Sequence, residues 1–299
     1  MKHNLKITAI LLVMFIVTQM IGIYTVNHYL VPDNVLPFGL EPPKIEKESD
    51  YYSIFPVIIT AFIIAILLFF FLTRFKIEFV LRLWFFVVVL LALSIFFFSV
   101  LSPLNYALTF SLLIALPLAF IKIYGRNFLV HNFTELLIYP GIAAVFVPIL
   151  NVLTIVGLLV LISIYDIWAV WHSGIMQKMA KYQIKQLKIF SGFFVPYLSK
   201  NVKIRIAKLK KTLSRSQLNK KKIKINVAIL GGGDIVFPII AAGVMLKTLG
   251  IVSALLVALG ATLGLAYLFF FAEKRKFYPA MPFITGGIFA GILVSYLIF

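Results

Sequence analysis

Nine apolar runs of bilayer-spanning length follow one another along the 299-residue chain. A helix that crosses the hydrocarbon core of a membrane needs about 20 mostly apolar residues. The runs are Ile7–Val26, Tyr52–Thr73, Phe79–Leu101, Tyr106–Tyr124, Phe133–Leu150, Val152–His172, Ile225–Leu246, Ile251–Ala272 and Phe277–Phe299. The composition agrees, because 62% of the residues are hydrophobic and 13% are charged, whereas soluble domains carry about 25% charged residues. The sequence therefore predicts an all-α polytopic membrane protein with nine transmembrane helices.

The basic residues give an independent check on this count. With nine spans, 25 of the 28 lysines and arginines lie on one side of the membrane, and cytoplasmic loops are the ones enriched in Lys and Arg. We therefore predict a multi-pass protein of the cell membrane with a cytoplasmic amino terminus and a carboxyl terminus outside. A signal peptide is the alternative for the first run, but that run is long and no small-residue cleavage site follows it.

Fifteen basic residues are concentrated in one predicted cytoplasmic loop, residues 175–224. The loop separates an amino-terminal membrane region, residues 1–174, from a carboxyl-terminal one, residues 225–299. Lys-rich tracts beside spans are typical of contact with anionic lipid head groups, which we favour over nucleic-acid binding. An apolar decamer within the loop, Ile189–Leu198, is too short to span and contains Pro196. We expect it to lie in the membrane interface or to dip into the protein.

Only two of the ten acidic residues, Asp166 and Asp234, are predicted to lie well inside spans. Five others belong to the outer loop, and Glu78, Glu135 and Glu273 are expected near cytoplasmic helix ends. A carboxylate near the bilayer centre costs about 2.5–3.5 kcal/mol even on lenient insertion scales. Acids retained there are candidates for a functional site.

The two aspartates are also predicted to lie at one depth. Asp166 precedes the first loop charge, Lys178, by twelve residues, and Asp234 follows the last, Lys224, by ten. At 1.5 Å per residue these separations are roughly 18 and 15 Å, on spans that run in opposite directions. Two adjacent carboxyl groups shielded from water share one proton, as in the dyad of an aspartic protease. One carboxyl group then activates water and the other hydrogen-bonds the peptide carbonyl, in a polar cavity open to the cytoplasm.

Three consecutive glycines, Gly231–Gly233, directly precede Asp234. Within a helix they would cost roughly 2–3 kcal/mol relative to alanine. They indicate either a site where another backbone approaches closely or the helix loosens, or packing through small residues, as we expect for Gly287 and Gly291 in the last run. The sequence leaves both interpretations open.

The segment Pro279-Ala280-Met281-Pro282 lies at the start of the ninth run. Each proline disfavours helix at the preceding residue, so Tyr278 and Met281 are predicted to be extended. An alternative is that a proline occupies the first helical turn, where it is tolerated. An extended segment can hold a substrate by strand addition, and a protease that cuts spanning helices must unwind them.

These motifs resemble those of the presenilin and signal peptide peptidase family of intramembrane aspartyl proteases, most closely its microbial, single-subunit presenilin homologues. The family carries Tyr-Asp on the sixth span, Gly-x-Gly-Asp on the seventh and Pro-Ala-Leu at the start of the ninth. The matching segments here are Tyr165-Asp166, Gly231-Gly232-Gly233-Asp234 and Pro279-Ala280-Met281. Methionine in place of leucine is the one departure from these motifs, and we expect it to affect substrate preference more than catalysis.

The resemblance implies an aspartic endopeptidase that cleaves single-span transmembrane proteins or peptides. It implies catalytic roles for Asp166 and Asp234, supporting roles for Tyr165, Gly231, Gly232 and Gly233, and substrate contact for Pro279, Ala280, Met281 and Pro282. A presenilin-like orientation indicates substrates with their amino termini outside. Presenilins also have an apolar loop stretch that occupies the site and is cut during maturation, a role open to Ile189–Leu198. We expect no metal and no cofactor, and a homo-oligomer is compatible with the sequence.

A proton- or cation-coupled transporter is the main alternative, because paired aspartates within spans also serve as relays. The odd number of spans, the lack of an internal repeat and the lack of other ionisable groups along a path argue against it. Prepilin peptidases share Gly-x-Gly-Asp but not the Pro-Ala-Met segment, and a scaffold would leave two costly carboxylates unexplained. The chain has no cysteine, no Gly-x-Ser-Gly and no His-Glu-x-x-His. Its four histidines are predicted to be interfacial: His3, His28, His131 and His172.

Overall fold

The computed structural model describes residues 5–43, 45–75, 77–125, 127–173, 191–197, 226–272 and 278–299. Within these residues the chain forms nine α-helices and a pair of β-strands. The elements are α1 (Leu5–Leu30), α2 (Glu48–Arg74), α3 (Glu78–Leu101), α4 (Ala107–Tyr124), α5 (Phe128–Phe146), α6 (Val152–Ile167), β1 (Gly192–Tyr197), β2 (Asn226–Gly231), α7 (Gly233–Leu249), α8 (Ile251–Phe271) and α9 (Met281–Ile298). Eight of these helices are long and apolar enough to cross a membrane. The other helix, α7, has 17 residues and carries Lys247 in its last turn.

Helix α7 is the centre of the bundle. It packs against α1, α5, α6, α8 and α9, and every residue from Pro238 to Leu246 is buried. Small residues allow these close contacts, since Gly22 of α1 lies against Ile239 and Gly243 lies against Val147. A helix that is apolar on all sides belongs in the interior of a bundle. The core therefore forms around the helix that carries Asp234.

Helices α8 and α9 cross at paired glycines, as expected for the last run. Gly260 and Gly287 face each other so closely that a Cβ on either would overlap the carbonyl oxygen of the other. Gly291 packs in the same way against the backbone of Leu256 and Val257. Such small-residue contacts are typical of helix pairs in membranes, where close packing of backbones replaces the hydrophobic driving force.

The seventh apolar run, Ile225–Leu246, does not form one continuous helix. Its first part is β2, which pairs antiparallel with β1 so that Gly231 lies opposite Gly192. Side-chain exposure alternates along β2, because Val227 and Ile229 are exposed while Ala228 and Leu230 are buried. This period of two is that of a strand. A short apolar run cannot be assigned to helix or strand from hydropathy alone, and that ambiguity explains the difference.

Strand β1 lies within the apolar decamer of the long loop. The side chain of Phe193 is fully buried, so this part of the decamer packs into the protein, in agreement with one of the two expectations. Pro196 lies opposite Val227 in the register, a position that an edge strand tolerates although proline has no N–H to donate. The ends of the decamer, Ile189 and Leu198, lie outside the described residues, as does most of the basic loop.

Candidate active site

Asp166 is the penultimate residue of α6. The helix begins with a capping box, in which the side chain of Asn151 accepts from the Thr154 N–H and the Thr154 side chain accepts from the Asn151 N–H. Beyond Asp166 the chain continues as a π-helical segment, Trp168–Ser173, a geometry that is rare and is frequent at functional sites. Asp166 itself is buried, with 7% of its surface exposed.

The carboxylate of Asp166 is held by the start of α9. Its Oδ2 accepts a hydrogen bond of 3.0 Å from the backbone N–H of Met281, and the backbone of Ala280 also interacts with it. A second contact ties the same two helices together, because the Ser163 hydroxyl lies 2.9 Å from the Thr285 hydroxyl. The sequence-predicted site residues Asp166, Ala280 and Met281 are thus in direct contact.

The prediction of extended backbone at Met281 is wrong. Met281 is the first residue of α9, and Pro282 occupies the first turn, where its missing N–H would have no helical partner. Tyr278 and Pro279 precede the helix and are not helical. The Met281 N–H is one of the unpaired donors that every helix has at its amino terminus, and the Asp166 carboxylate satisfies it.

Asp234 lies in the first turn of α7 and is 9% exposed. The predicted cost of three glycines inside a helix does not apply, because Gly231 ends β2 and Gly232 precedes α7. A Cβ on Gly231 would lie 3.3 Å from Asp234 Oδ2, so the end of the strand packs against the carboxylate. Gly233 is the first residue of α7, and a Cβ added there would have only the Phe237 ring within 4 Å. The three glycines therefore lie where the chain changes from strand to helix.

Gly232 lies against the hydroxyl groups of two other side chains. A Cβ there would come within 2.6 Å of both Tyr139 Oη and Ser191 Oγ. The groups that approach Gly232 are side-chain hydroxyls and not another backbone, so the supporting role of the glycines stays a prediction.

Three mutually packed helices carry the site. Helix α6 holds Asp166, α7 holds Asp234 and α9 begins at Met281, and each of these helices packs against the other two. Tyr165 faces outward, with 42% of its surface exposed and its ring 6.3 Å from that of Trp168. The supporting role of Tyr165 stays a prediction, as does direct contact between the two aspartates.

A buried polar cluster beside the site was missed by the sequence analysis. Glu135 was expected near a helix end and His131 at an interface, but they are 1% and 9% exposed within α5. The Glu135 carboxylate forms an ion pair with Lys122 of α4 and accepts a hydrogen bond from the Tyr139 hydroxyl. The available signal was the spacing of His131, Glu135 and Tyr139, which lie four residues apart and so share one helix face.

Among the residues that the structure describes, no group of three or more histidine, aspartate or glutamate side chains is arranged to hold a metal ion. The groups that the described site presents are carboxyl groups and backbone amides.

The model of one protein family, described as signal-peptide peptidase and presenilin aspartyl protease, matches residues 12–299. The chain belongs to this family. The family assignment covers nearly the whole protease chain and confirms the resemblance drawn from the three motifs. No curated protein sequence matches the chain.

Two solved structures share the fold of this protease, and both are described as presenilin family intramembrane aspartate proteases. The one in space group C222 is 19% identical with a TM-score of 0.60, and the match covers 98% of this chain and 99% of that chain. The one in space group P2 is 21% identical with a TM-score of 0.60, and the match covers 97% of each chain. These likenesses confirm the predicted helical membrane fold.

The protein is therefore an integral membrane aspartyl protease, as predicted. The family acts on transmembrane substrates within the membrane. Neither the family match nor the structural neighbours support the transporter alternative.

Proposed function

We propose that Asp166 and Asp234 form the catalytic dyad of this protease. The observation that carries the proposal is the hydrogen bond from the Met281 N–H to Asp166, because it joins one aspartate to the third family motif. Asp234 also supports the proposal, since its side chain is buried on a helix that packs against both α6 and α9. Two buried carboxyl groups at the ends of contacting helices are a costly arrangement that a dyad explains.

The dyad hydrolyses a peptide bond with one shared proton. The ionised carboxylate takes a proton from water as the water oxygen bonds to the carbonyl carbon, and the protonated carboxyl group gives its proton to the carbonyl oxygen. The resulting gem-diol collapses when the C–N bond breaks and the newly protonated carboxyl group protonates the departing nitrogen. One gem-diol hydroxyl returns its proton to the other carboxylate, which restores the starting state.

The segment from Pro279 to Pro282 contacts substrate in this proposal. Tyr278 and Pro279 lie outside α9, so their backbone carbonyls are not committed to hydrogen bonds within that helix. An unwound substrate segment can pair with such backbone. Because Met281 also holds Asp166, a substrate bound along this segment would lie beside the carboxylate that acts on it.

The proposed substrates are single-span proteins or peptides whose amino termini lie outside the cell. This direction follows from the predicted cytoplasmic amino terminus of the protease, with 25 of 28 basic residues on the cytoplasmic side. The Lys-rich loop is proposed to contact anionic lipid head groups at the same surface.

The test is cleavage of a single-span substrate by the protein in lipid vesicles. Asp166→Asn and Asp234→Asn should each lower kcat by at least about a hundredfold, since general acid and base groups contribute on the order of 100- to 10,000-fold. Thr262→Val is a matched control, because the Thr262 hydroxyl bonds the carbonyl of Ala258 within α8. Thermal unfolding confirms that each variant is folded. Turnover at the wild-type rate in either folded aspartate variant would overturn the dyad.

A further inference from the structure

The outer edge of β1 is bound by side chains of α5. The amide of Asn132 forms two hydrogen bonds with the backbone of Phe194, donating from Nδ2 to the carbonyl over 2.9 Å and accepting at Oδ1 from the N–H over 3.1 Å. Gly192 is bound in the same manner, because its N–H donates to Glu135 Oε2 over 2.9 Å and its carbonyl lies 2.9 Å from His131 Nε2.

These contacts replace a third strand. In an antiparallel pair, alternate residues bond the partner strand while the residues between them direct their N–H and C=O groups away from it. Gly192 and Phe194 are two residues apart, and both are paired by α5 instead. Unpaired edge groups buried in a protein are costly, so α5 provides a docking site that fits β1 in one register.

A buried ion pair stabilises the docking site on α5. Lys122 Nζ binds Glu135 Oε1, and the Tyr139 hydroxyl and the Gly192 N–H bind Glu135 Oε2. Lys122 Nζ also lies 3.3 Å from His131 Nδ1. A neutral imidazole with its hydrogen on Nε2 satisfies both of its contacts, accepting from the lysine and donating to the Gly192 carbonyl. One carboxylate oxygen of Glu135 thus binds the strand, while the other is bound by the balancing cation.

A continuous set of contacts leads from this site to Asp234. The Tyr139 hydroxyl lies 3.3 Å from Ser191 Oγ, and both hydroxyl groups pack against Gly232. Gly192 lies opposite Gly231 in the register, and Gly231 packs against the Asp234 carboxylate. The position of β1 on α5 therefore determines the position of the glycine segment and of the Asp234 side chain that follows it.

We propose that Asn132, Glu135 and Tyr139 are positioning residues of the protease. They hold β1, and through β2 and Gly232 they fix the carboxylate of Asp234 relative to Asp166. None of them is assigned a contact with substrate. This inference rests on the proposed dyad.

Measurements of kcat and KM distinguish a positioning role of these residues from a role in folding. Tyr139→Phe removes one hydroxyl and Asn132→Leu removes the amide, and each should lower kcat by about tenfold or more while KM changes by less than about twofold. A misplacement of about 1 Å can cost on the order of 100-fold. Thr134→Val is the matched control, because Thr134 is buried on the same helix and its hydroxyl bonds the carbonyl of Val130 one turn earlier.

A distance measurement tests the same proposal without turnover. The chain has no cysteine, so spin labels can be attached at Leu129→Cys on α5 and Val227→Cys on β2, where both side chains are exposed. The label-to-label distance should be narrowly distributed in the parent protein and with Thr134→Val. It should broaden with Tyr139→Phe and with Asn132→Leu at unchanged melting temperature.

Two outcomes would overturn the inference. If Asp234→Asn is inactive while Tyr139→Phe and Asn132→Leu match Thr134→Val in kcat and label distance, the dyad stands and the positioning role fails. If activity falls only in proportion to the folded fraction, the contacts serve stability alone. Retained activity in Asp234→Asn would instead remove the dyad on which the inference depends.

Discussion

The backbone N–H of Met281 donates a hydrogen bond of 3.0 Å to the carboxylate of Asp166, across 115 residues of sequence. The donor is free because Met281 is the first residue of α9, where helical N–H groups have no partner within the helix. The bond links the start of the last helix to a family motif near the end of α6. The backbone conformation of the residues just before α9 therefore affects how Asp166 is held in the proposed dyad.

Pro279→Ala should impair cleavage by about tenfold or more. Without the proline, α9 can extend by a turn at its amino terminus, and the Met281 N–H would then donate to the carbonyl four residues earlier. Asp166 would lose that hydrogen bond. The measurements are kcat for a single-span substrate and the affinity for a transition-state mimic whose hydroxyl group replaces the scissile carbonyl.

Pro117→Ala is the control for this variant, because Pro117 is an exposed proline within α4, a helix that carries none of the predicted site residues. Its cleavage rate should stay within about twofold of the wild type. The mimic should still bind Pro279→Ala, since both aspartates remain. Loss of both cleavage and mimic binding would point to collapse of the site and contradict the role given to Pro279.

Gly287→Ala should destabilise the protein by about 1–3 kcal/mol, because the added methyl group meets the backbone of Gly260 and must push α8 and α9 apart. Gly286→Ala, one residue earlier on α9, has no heavy atom within 4 Å of the added Cβ and should be neutral or slightly stabilising. Thermal unfolding in detergent measures both. Equal melting temperatures would show that the glycine contact does not limit the packing of α9.

Lys122→Met should destabilise the protein by about 3–5 kcal/mol, because it leaves the carboxylate of Glu135 buried without its cation. The double variant Lys122→Met with Glu135→Gln removes both charges and should recover most of that loss. Chemical unfolding of the two variants gives the comparison. A single variant as stable as the wild type would mean that the pair is not charged in the folded protein.

The orientation of the protein in the membrane can be measured by labelling single introduced cysteines, since the chain has no cysteine of its own. Ser49→Cys, just inside α2 at the predicted outer surface, should react with a membrane-impermeant maleimide on intact cells. Ser214→Cys, within the basic loop, should react only after permeabilisation. The reverse pattern would invert the proposed topology and the proposed direction of substrates.

Several features of this protein were accessible from sequence because they depend on local physics. Spanning helices are dictated by apolar length, and carboxylates inside them stand out because hydrocarbon penalises charge. Asp166 and Asp234 were found in this way, and the paired glycines of α9 were found from their spacing. Glu135 was missed, because α5 begins five residues before the predicted apolar run, at Phe128, and this additional helix places Glu135 deeper than hydropathy indicated.

The strand pair could not be found by the same means. The residues of β2 are as apolar as a helical span, and only pairing with β1 distinguishes the two structures. The partner strand lies within the basic loop, and its outer edge is bound by α5. Pairing between distant segments is a tertiary event that leaves no periodicity in either segment alone.

The sequence by itself determined the membrane location, the order of the helices and the identity of the two buried aspartates, since each depends on the cost of transferring one residue from water to lipid. Tertiary structure alone decided that Met281 holds Asp166 and that α5 binds β1 beside Asp234. Those contacts are hydrogen bonds between groups far apart in the chain, and their partners exist only once the helices have packed.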